Sequence, residues 1–303
     1  MNKVPVMATV SRAYGFLLGD FGTIFRLAWA PLMLGAGLSF VFAPQAIDAM
    51  IQHNGDPTVQ MQYAPMQFLI GVAAFVGAVM ATIALLRIVI YGDRKPGLFA
   101  YLWLGGAEFR LIAVTILLIV AAIAGMIGTV LVFALLGALA AAIPALGIVV
   151  GLGAVLILPV LLWVIVRLSL VAPVVVAENS LGVERSWALT KGNGLRLFLA
   201  YVLTLVPLGI VSLLVMLALL GSDFPALPSF PVLSGSKDAE STRTAMEAFG
   251  KAMEVWQLAL TKAIRLHWVE FSVLGFVGNL IQTALMAGVQ GNAYTALAGE
   301  PRN

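Results

Sequence analysis

The stretch TKGNGLR, Thr190 to Arg196, sets a lysine, two glycines and an arginine directly before a long apolar run. A loop that cradles a nucleotide's phosphates has this composition. That chemistry also needs a strand ahead of the glycines and a Lys-Ser or Lys-Thr opening the next helix. The sequence has neither, and the apolar run that follows is long enough to cross a bilayer. A phosphate met here belongs to a lipid headgroup rather than a nucleotide. Arg185, Lys191 and Arg196 are candidates for that contact, and Arg26 and Arg110 stand at equivalent boundaries. The competing reading of the same cations is ordinary charge anchoring at a membrane surface.

Other chemistry finds less support. There is no cysteine, which excludes disulfides, thiolate nucleophiles and cysteine-ligated metals. The two histidines, His53 and His267, lack metal-ligand spacing. No Gly-x-Ser-x-Gly elbow occurs. Glu178 and Glu184 flank Asn179 and invite comparison with a hydrolytic pair, but solvated interfacial charge accounts for them better. No catalytic, cofactor-binding or metal residue is therefore assigned, and the chain is read as a non-enzyme. Inside the last apolar run Asn279 and Gln282 lie three residues apart, with Gly275 and Gly278 one turn earlier. Such amides can line a transport pathway, or can bond between helices beside a small-residue packing face. No Asp, Glu, Lys or His lies deep in a span, which disfavours a proton-coupled pump. Pro31, Pro159 and Pro207 fall within spans, where kinks are expected.

The elements that must position these residues follow from composition. Of 303 residues 61% are hydrophobic and 10% charged, against roughly a quarter charged in a soluble domain. The net charge of +3 is spread between apolar runs, so the basic residues point to lipid headgroups and not to nucleic acid. A helix needs about 20 apolar residues to span the hydrocarbon core. Six spans are predicted, at about 27–47, 68–88, 111–138, 144–168, 197–220 and 270–290, with the break between the third and fourth placed at Pro144. Continuous apolarity excludes barrel strands. The N-terminal segment is read as an uncleaved helix, because Asp20 and Arg26 interrupt any signal-like pattern.

Orientation follows from the lysines and arginines. Lys3, Arg12, Arg26, Arg87, Arg94, Lys95, Arg110, Arg167, Arg185, Lys191, Arg196 and Arg302 share one side. Lys237, Arg243, Lys251, Lys262 and Arg265 fall in one long loop on the other. Both termini are expected in the cytoplasm of a bacterial cell, with the spans in its inner membrane. The first outer loop is PQAIDAMIQHNGDPTVQMQYAP. The second, 221–268, starts as a proline-rich strap with Pro225, Pro228 and Pro231. It continues as an amphipathic helix with Met246, Phe249, Met253, Trp256 and Leu260 on one face, and Glu247 and Lys251 paired on its wet side.

Three windows repeat: GFLLGDFGTIFRLAWA from Gly15, FAYLWLGGAEFRLIAV from Phe99, and RSWALTKGNGLRLFLA from Arg185. Aligned, they put Gly22, Gly106 and Gly192 in one column, Arg26, Arg110 and Arg196 in another, and Leu27, Leu111 and Leu197 in a third. Each window stands before an odd-numbered span. The pattern predicts three hairpin units, each with a short interfacial helix, a glycine elbow permitting a sharp turn, and an arginine snorkelling to the headgroups.

The stretch RLSLVAPVVVAENSLGVERSWALTKGNGLRLFLAYVL, Arg167 to Leu203, resembles a group of bacterial six-helix membrane proteins. The group includes YciC-type inner-membrane proteins and the membrane region fused to some glycerophosphodiester phosphodiesterases. Arg167, Pro173, Glu178, Ser186, Trp187, Thr190, Gly192 and Arg196 carry the resemblance. It implies an all-α, six-span fold and brings no catalytic residue, since the phosphodiesterase domain is absent from these residues. The expectation is a membrane protein that binds or organises lipids, anionic ones foremost, or a membrane protein partner or second copy, with no cofactor. The alternative is a permease or flippase for an amphiphile.

Overall fold

The computed structural model describes residues 2–94, 98–143, 145–229 and 239–299. Among these residues there is no strand. Ten α-helices follow in order: α1 (Val6–Gly19), α2 (Phe21–Gln52), α3 (Pro57–Tyr91), α4 (Gly106–Ala142), α5 (Ala145–Leu168), α6 (Val171–Glu178), α7 (Val183–Leu189), α8 (Gly194–Leu220), α9 (Ala239–Leu266) and α10 (Trp268–Ala298), with a 3-10 turn at Gly221–Asp223. Six stretches, carried by α2, α3, α4, α5 running on into α6, α8 and α10, are long and apolar enough to cross a membrane. The protein is an all-α polytopic membrane protein. Lys95, Pro144, Pro231, Lys237 and Arg302 lie outside the described residues.

The expected first outer loop is largely helical. α2 runs on to Gln52 and α3 starts at Pro57, because this segment is rich in Ala, Gln and Met, which favour helix. The turn is confined to 53–56. There Asn54 and Gly55 take positive φ, and the Asp56 carboxylate accepts from the Thr58 N–H and hydroxyl, both at 2.8 Å. Asp56 thus caps α3, with Pro57 at the first helical position, where its missing N–H costs nothing. These bonds hold the Asp56 carboxyl below its ordinary range.

The chain divides into two compact units. The first comprises Met1–Pro31, Val76–Val206 and Leu280–Asn303, and the second Leu32–Phe75 and Pro207–Asn279. In the first, Ile24, Leu27, Ile83, Leu85, Leu86, Leu170, Leu197, Leu280 and Leu285 are essentially fully buried. Close approach rests on small residues. A Cβ on Gly288 would meet the Ala13 Cα at 2.9 Å, and one on Gly291 the Val89 Cγ1 at 2.5 Å.

The second unit contains α9. Phe249, Met253, Trp256 and Leu260 are half-buried as one face, while Met246 is 55% exposed and falls outside it. Trp256 donates to the Pro225 carbonyl at 3.1 Å and meets Phe224 edge-on, so the start of the strap packs on that face at Trp256. Glu247 pairs with Arg243 at 2.8 Å, one turn before it, instead of with the expected Lys251. Arg265 grips Asp48 through two bonds of 2.7 and 2.9 Å. In this unit Gly35 packs against Ala74, leaving no room for a Cβ.

Candidate lipid-headgroup site in the first unit

The three aligned windows share an environment. Leu27, Leu111 and Leu197 are all buried, and so are Ala30, Val114 and Ala200 three positions later. Phe25, Phe109 and Leu195 are all exposed. The local structures differ, however. α1 precedes the first span and α7 the fifth, but residues 98–105 before the third are not helical. This segment is held by specific bonds: the Tyr101 N–H donates to the Leu27 carbonyl at 3.3 Å, and the buried Tyr101 hydroxyl to Glu108 Oε1 at 2.7 Å. The glycine elbow also holds only in the third window. Gly192 has φ +76, whereas Gly22 and Gly106 lie inside the first turns of α2 and α4 without positive φ. The chain bends at Asp20 in the first window, while Gly105 is an extended N-cap in the second, its N–H donating to Glu108 Oε2 at 2.9 Å.

Each boundary arginine reaches a carbonyl oxygen in a segment that leads into another window. Arg26 donates to the Arg94 carbonyl at 2.9 Å, Arg110 to the Asn179 side-chain carbonyl, and Arg196 to the Val4 carbonyl at 3.3 Å. The first two bonds join residues 68 and 69 positions apart. The third returns from the last window to the start of the chain. Asn193 strengthens that return. Its Oδ1 accepts from the Val4 N–H at 3.0 Å, and its Nδ2 donates to the Asn2 carbonyl at 3.1 Å. Val4 is fully buried with Val166, Leu170, Leu197 and Ala293. Composition gave no hint of the Asn193 clamp, although Asn193 stands between the two glycines of the stretch that first drew attention.

The remaining charges are paired unevenly. Arg94 pairs with Asp20 at 3.0 Å and Arg185 with Glu178 at 3.0 Å. Glu178 also accepts from the Tyr294 hydroxyl at 3.0 Å, which ties it into the fold, while Glu184 stands exposed in the first turn of α7. Arg87 donates to the Tyr101 hydroxyl at 3.0 Å. Burial, reinforced by the bond to Glu108, pushes the Tyr101 phenol up. Arg110, Arg167 and Arg196 reach no carboxylate within ion-pair distance among the described residues. Lys191 is exposed.

Arg167 stands in the last turn of α5. It lies 5.2 Å from the Trp163 ring centroid and 5.3 Å from that of Trp187, and it donates to the Trp187 carbonyl at 3.2 Å. The Ser186 and Thr190 hydroxyls both donate to the Arg167 carbonyl, at 2.8 and 3.3 Å, and so fasten α7 to the end of α5. The four-residue step from Trp163 to Arg167 is the sequence signal for this arrangement.

The sequence-derived amides are not gathered into this site. Asn279 belongs to the second unit and Gln282 to the first, and both are exposed. His53 Nδ1 donates to the Ala49 carbonyl at 2.9 Å, and His267 faces Asp223 at 3.2 Å. Among the described residues no three metal-ligating side chains come together. No protein-family model matches the chain, and neither a curated protein nor a solved structure matches it.

Proposed function

We propose that this protein is a non-enzymatic, multi-pass protein of the bacterial inner membrane, with both termini cytoplasmic, that binds and organises anionic lipids. The observation that carries this reading is the set of arginines fixed on neutral oxygens. Arg110 and Arg196 are bonded to an amide and a backbone carbonyl and keep their full positive charge. A guanidinium has five donors, so one bond leaves the others for a phosphate. Fixing the stem in advance lowers the entropy that headgroup capture would otherwise lose. Arg26, Arg185 and the exposed Lys191 add to the same field, worth about 1 kcal/mol per cation near an anionic surface. The shared environment of the three windows supports their origin as copies of one unit, and kinship with YciC-type proteins belongs to the same proposal. A protein partner or second copy would sit among these lipids.

Lipid co-purification tests the reading. Protein extracted from bilayers of equal phosphatidylglycerol and phosphatidylcholine should carry an excess of phosphatidylglycerol. K191Q, which breaks no internal bond, and the combined R110Q/R196Q variant should each reduce that excess. Lipid composition that mirrors the bilayer in the wild-type protein overturns the proposal.

A second reading, a permease for an amphiphile, is favoured by the exposure of Gln282 within a span, because an amide facing hydrocarbon is costly. It expects transport into proteoliposomes that N279A and Q282A each reduce. Undiminished transport in the double variant would remove the amides from that role.

A further inference from the structure

We infer that Arg167, walled by Trp163 and Trp187, holds the phosphate of one phospholipid whose acyl chains run along α5. This site deepens the anionic-lipid reading and rests on it.

Three observations converge. First, the guanidinium is flanked by two indoles that meet edge-on at 5.0 Å. Cation–π contact of this kind fixes the plane of an arginine without neutralising it. Second, its charge is unmatched. Its one acceptor is the Trp187 carbonyl, and its Nε is buried without an acceptor among the described residues. A phosphate oxygen on the guanidinium's remaining N–H donors supplies the missing charge. Third, the surroundings suit an amphiphile better than a free ion. Trp163 and Trp187 are 49% and 39% exposed, and aromatic rings of this kind sit at headgroup level. Before Arg167 on α5, Val160, Leu156 and Leu152 are exposed apolar residues at the three- and four-residue steps that place them on the same helix face as Trp163 and Arg167. They offer a surface for the chains of a lipid whose phosphate rests on the arginine. Inorganic phosphate would gain nothing from them. The Ser186 and Thr190 bonds to the Arg167 carbonyl keep α7, and with it Trp187, in place.

The test is native mass spectrometry of the full chain, delipidated in a zwitterionic detergent. It is titrated with phosphatidylglycerol and, separately, with glycerophosphoglycerol, the same headgroup without acyl chains. The wild type should bind one phosphatidylglycerol more tightly than those that follow, and the deacylated headgroup only weakly. R167Q should weaken that first event about tenfold, the scale of one lost charge-assisted bond, and leave the later events unchanged. R167K keeps the charge but loses the planar fork of donors, and should fall between. Melting temperature without lipid reports folding. If R167Q fails to fold, R167K decides: a weakened first event supports the site, and an unchanged one overturns it. An unaltered first event in folded R167Q also overturns the site, yet leaves the broader reading standing if anionic lipid is still preferred. Absence of any such preference in the wild type overturns the broader reading too. Equal affinity for glycerophosphoglycerol overturns the lipid assignment in favour of a free phosphate ester.

Discussion

Within the first unit, α10 and the α4–α5 pair are both long apolar helices, yet they are treated in opposite ways. From Leu280 to Tyr294, α10 buries nine residues, Gly288 and Gly291 among them. Among the described side chains, α4 buries none beyond Val114, and α5 buries only Val166. Apolarity does not explain this, because the α4 and α5 stretches are the more apolar. In lipid an apolar side chain gains little by leaving acyl chains for protein. Helices associate where small residues permit close approach and where polar groups bond. α10 has both: Gly288 sits on Ala13 and Gly291 on Val89, and Tyr294 bonds Glu178. α4 has glycines too, but Gly125 and Gly128 have nothing within 4 Å of where a Cβ would stand. α4 is anchored instead at its start, where Ala107, Glu108, Leu111 and Val114 are buried. From Leu280 onward α10 is scaffold, whereas α4 is held at one end with its flank left to lipid.

Substitutions in matched pairs can break this contrast. The largest difference is expected between Leu285→Ala and Leu131→Ala. Leu285 is 1% exposed and Leu131 64%. Truncation of the first should cost about 2–5 kcal/mol through the cavity it leaves, and of the second less than about 0.5 kcal/mol, both measured by denaturant titration in detergent. Equal costs would mean that protein covers α4.

Alanine at glycine should then act with opposite signs. In Gly291→Ala the new Cβ meets Val89 and should destabilise by about 1–3 kcal/mol. In Gly128→Ala it meets nothing and should stabilise by up to about 1 kcal/mol, the helix propensity difference. Thermal unfolding of the two variants reads both signs, and destabilisation by Gly128→Ala would reveal a neighbour for that face.

A smaller loss, about 1–3 kcal/mol, is expected for Asn193→Ala, which strands the Val4 N–H and the Asn2 carbonyl. Limited proteolysis should show residues 2–4 released before the helices open. An unchanged cleavage pattern would deny the clamp.

The smallest effect concerns alkaline pH. The folded protein holds the Tyr101 phenol above its ordinary value of 10.0, so folding favours the neutral form. That contribution is complete below the ordinary value, and is lost as pH climbs through it toward the raised folded value. Wild-type stability should therefore fall more steeply above pH 10 than that of Tyr101→Phe, which lacks the titrating group. Parallel slopes would show that Tyr101 does not carry the alkaline dependence.

The six spans were legible because apolar length is a property of the chain alone. The helical extensions on either side of Asn54 and Gly55 were not, since their polar residues read equally as loop or as helix beyond the bilayer. The boundary arginines were legible as a column, but their acceptors were not: Arg94 and Asn179 lie 68 and 69 positions away, and only the fold brings them near. Arg167 shows the same limit. Its four-residue step from Trp163 was there to read, but Trp187 arrives through the packing of α7. Which apolar helix meets lipid was beyond reading, because in a bilayer the same side chains serve either neighbour.

The central claim is that arginines of the first unit stand at headgroup depth while the α4–α5 flank faces acyl chains. Photo-crosslinking with two phosphatidylglycerol probes, one diazirine on the headgroup and one mid-chain, followed by peptide mapping, tests it most directly. The account predicts headgroup adducts around Arg167, Lys191 and Arg196 and chain adducts on α4 and α5, near Ile123, Leu131 and Leu158. Headgroup adducts spread evenly over the chain, or an unlabelled α4–α5 flank, would contradict it.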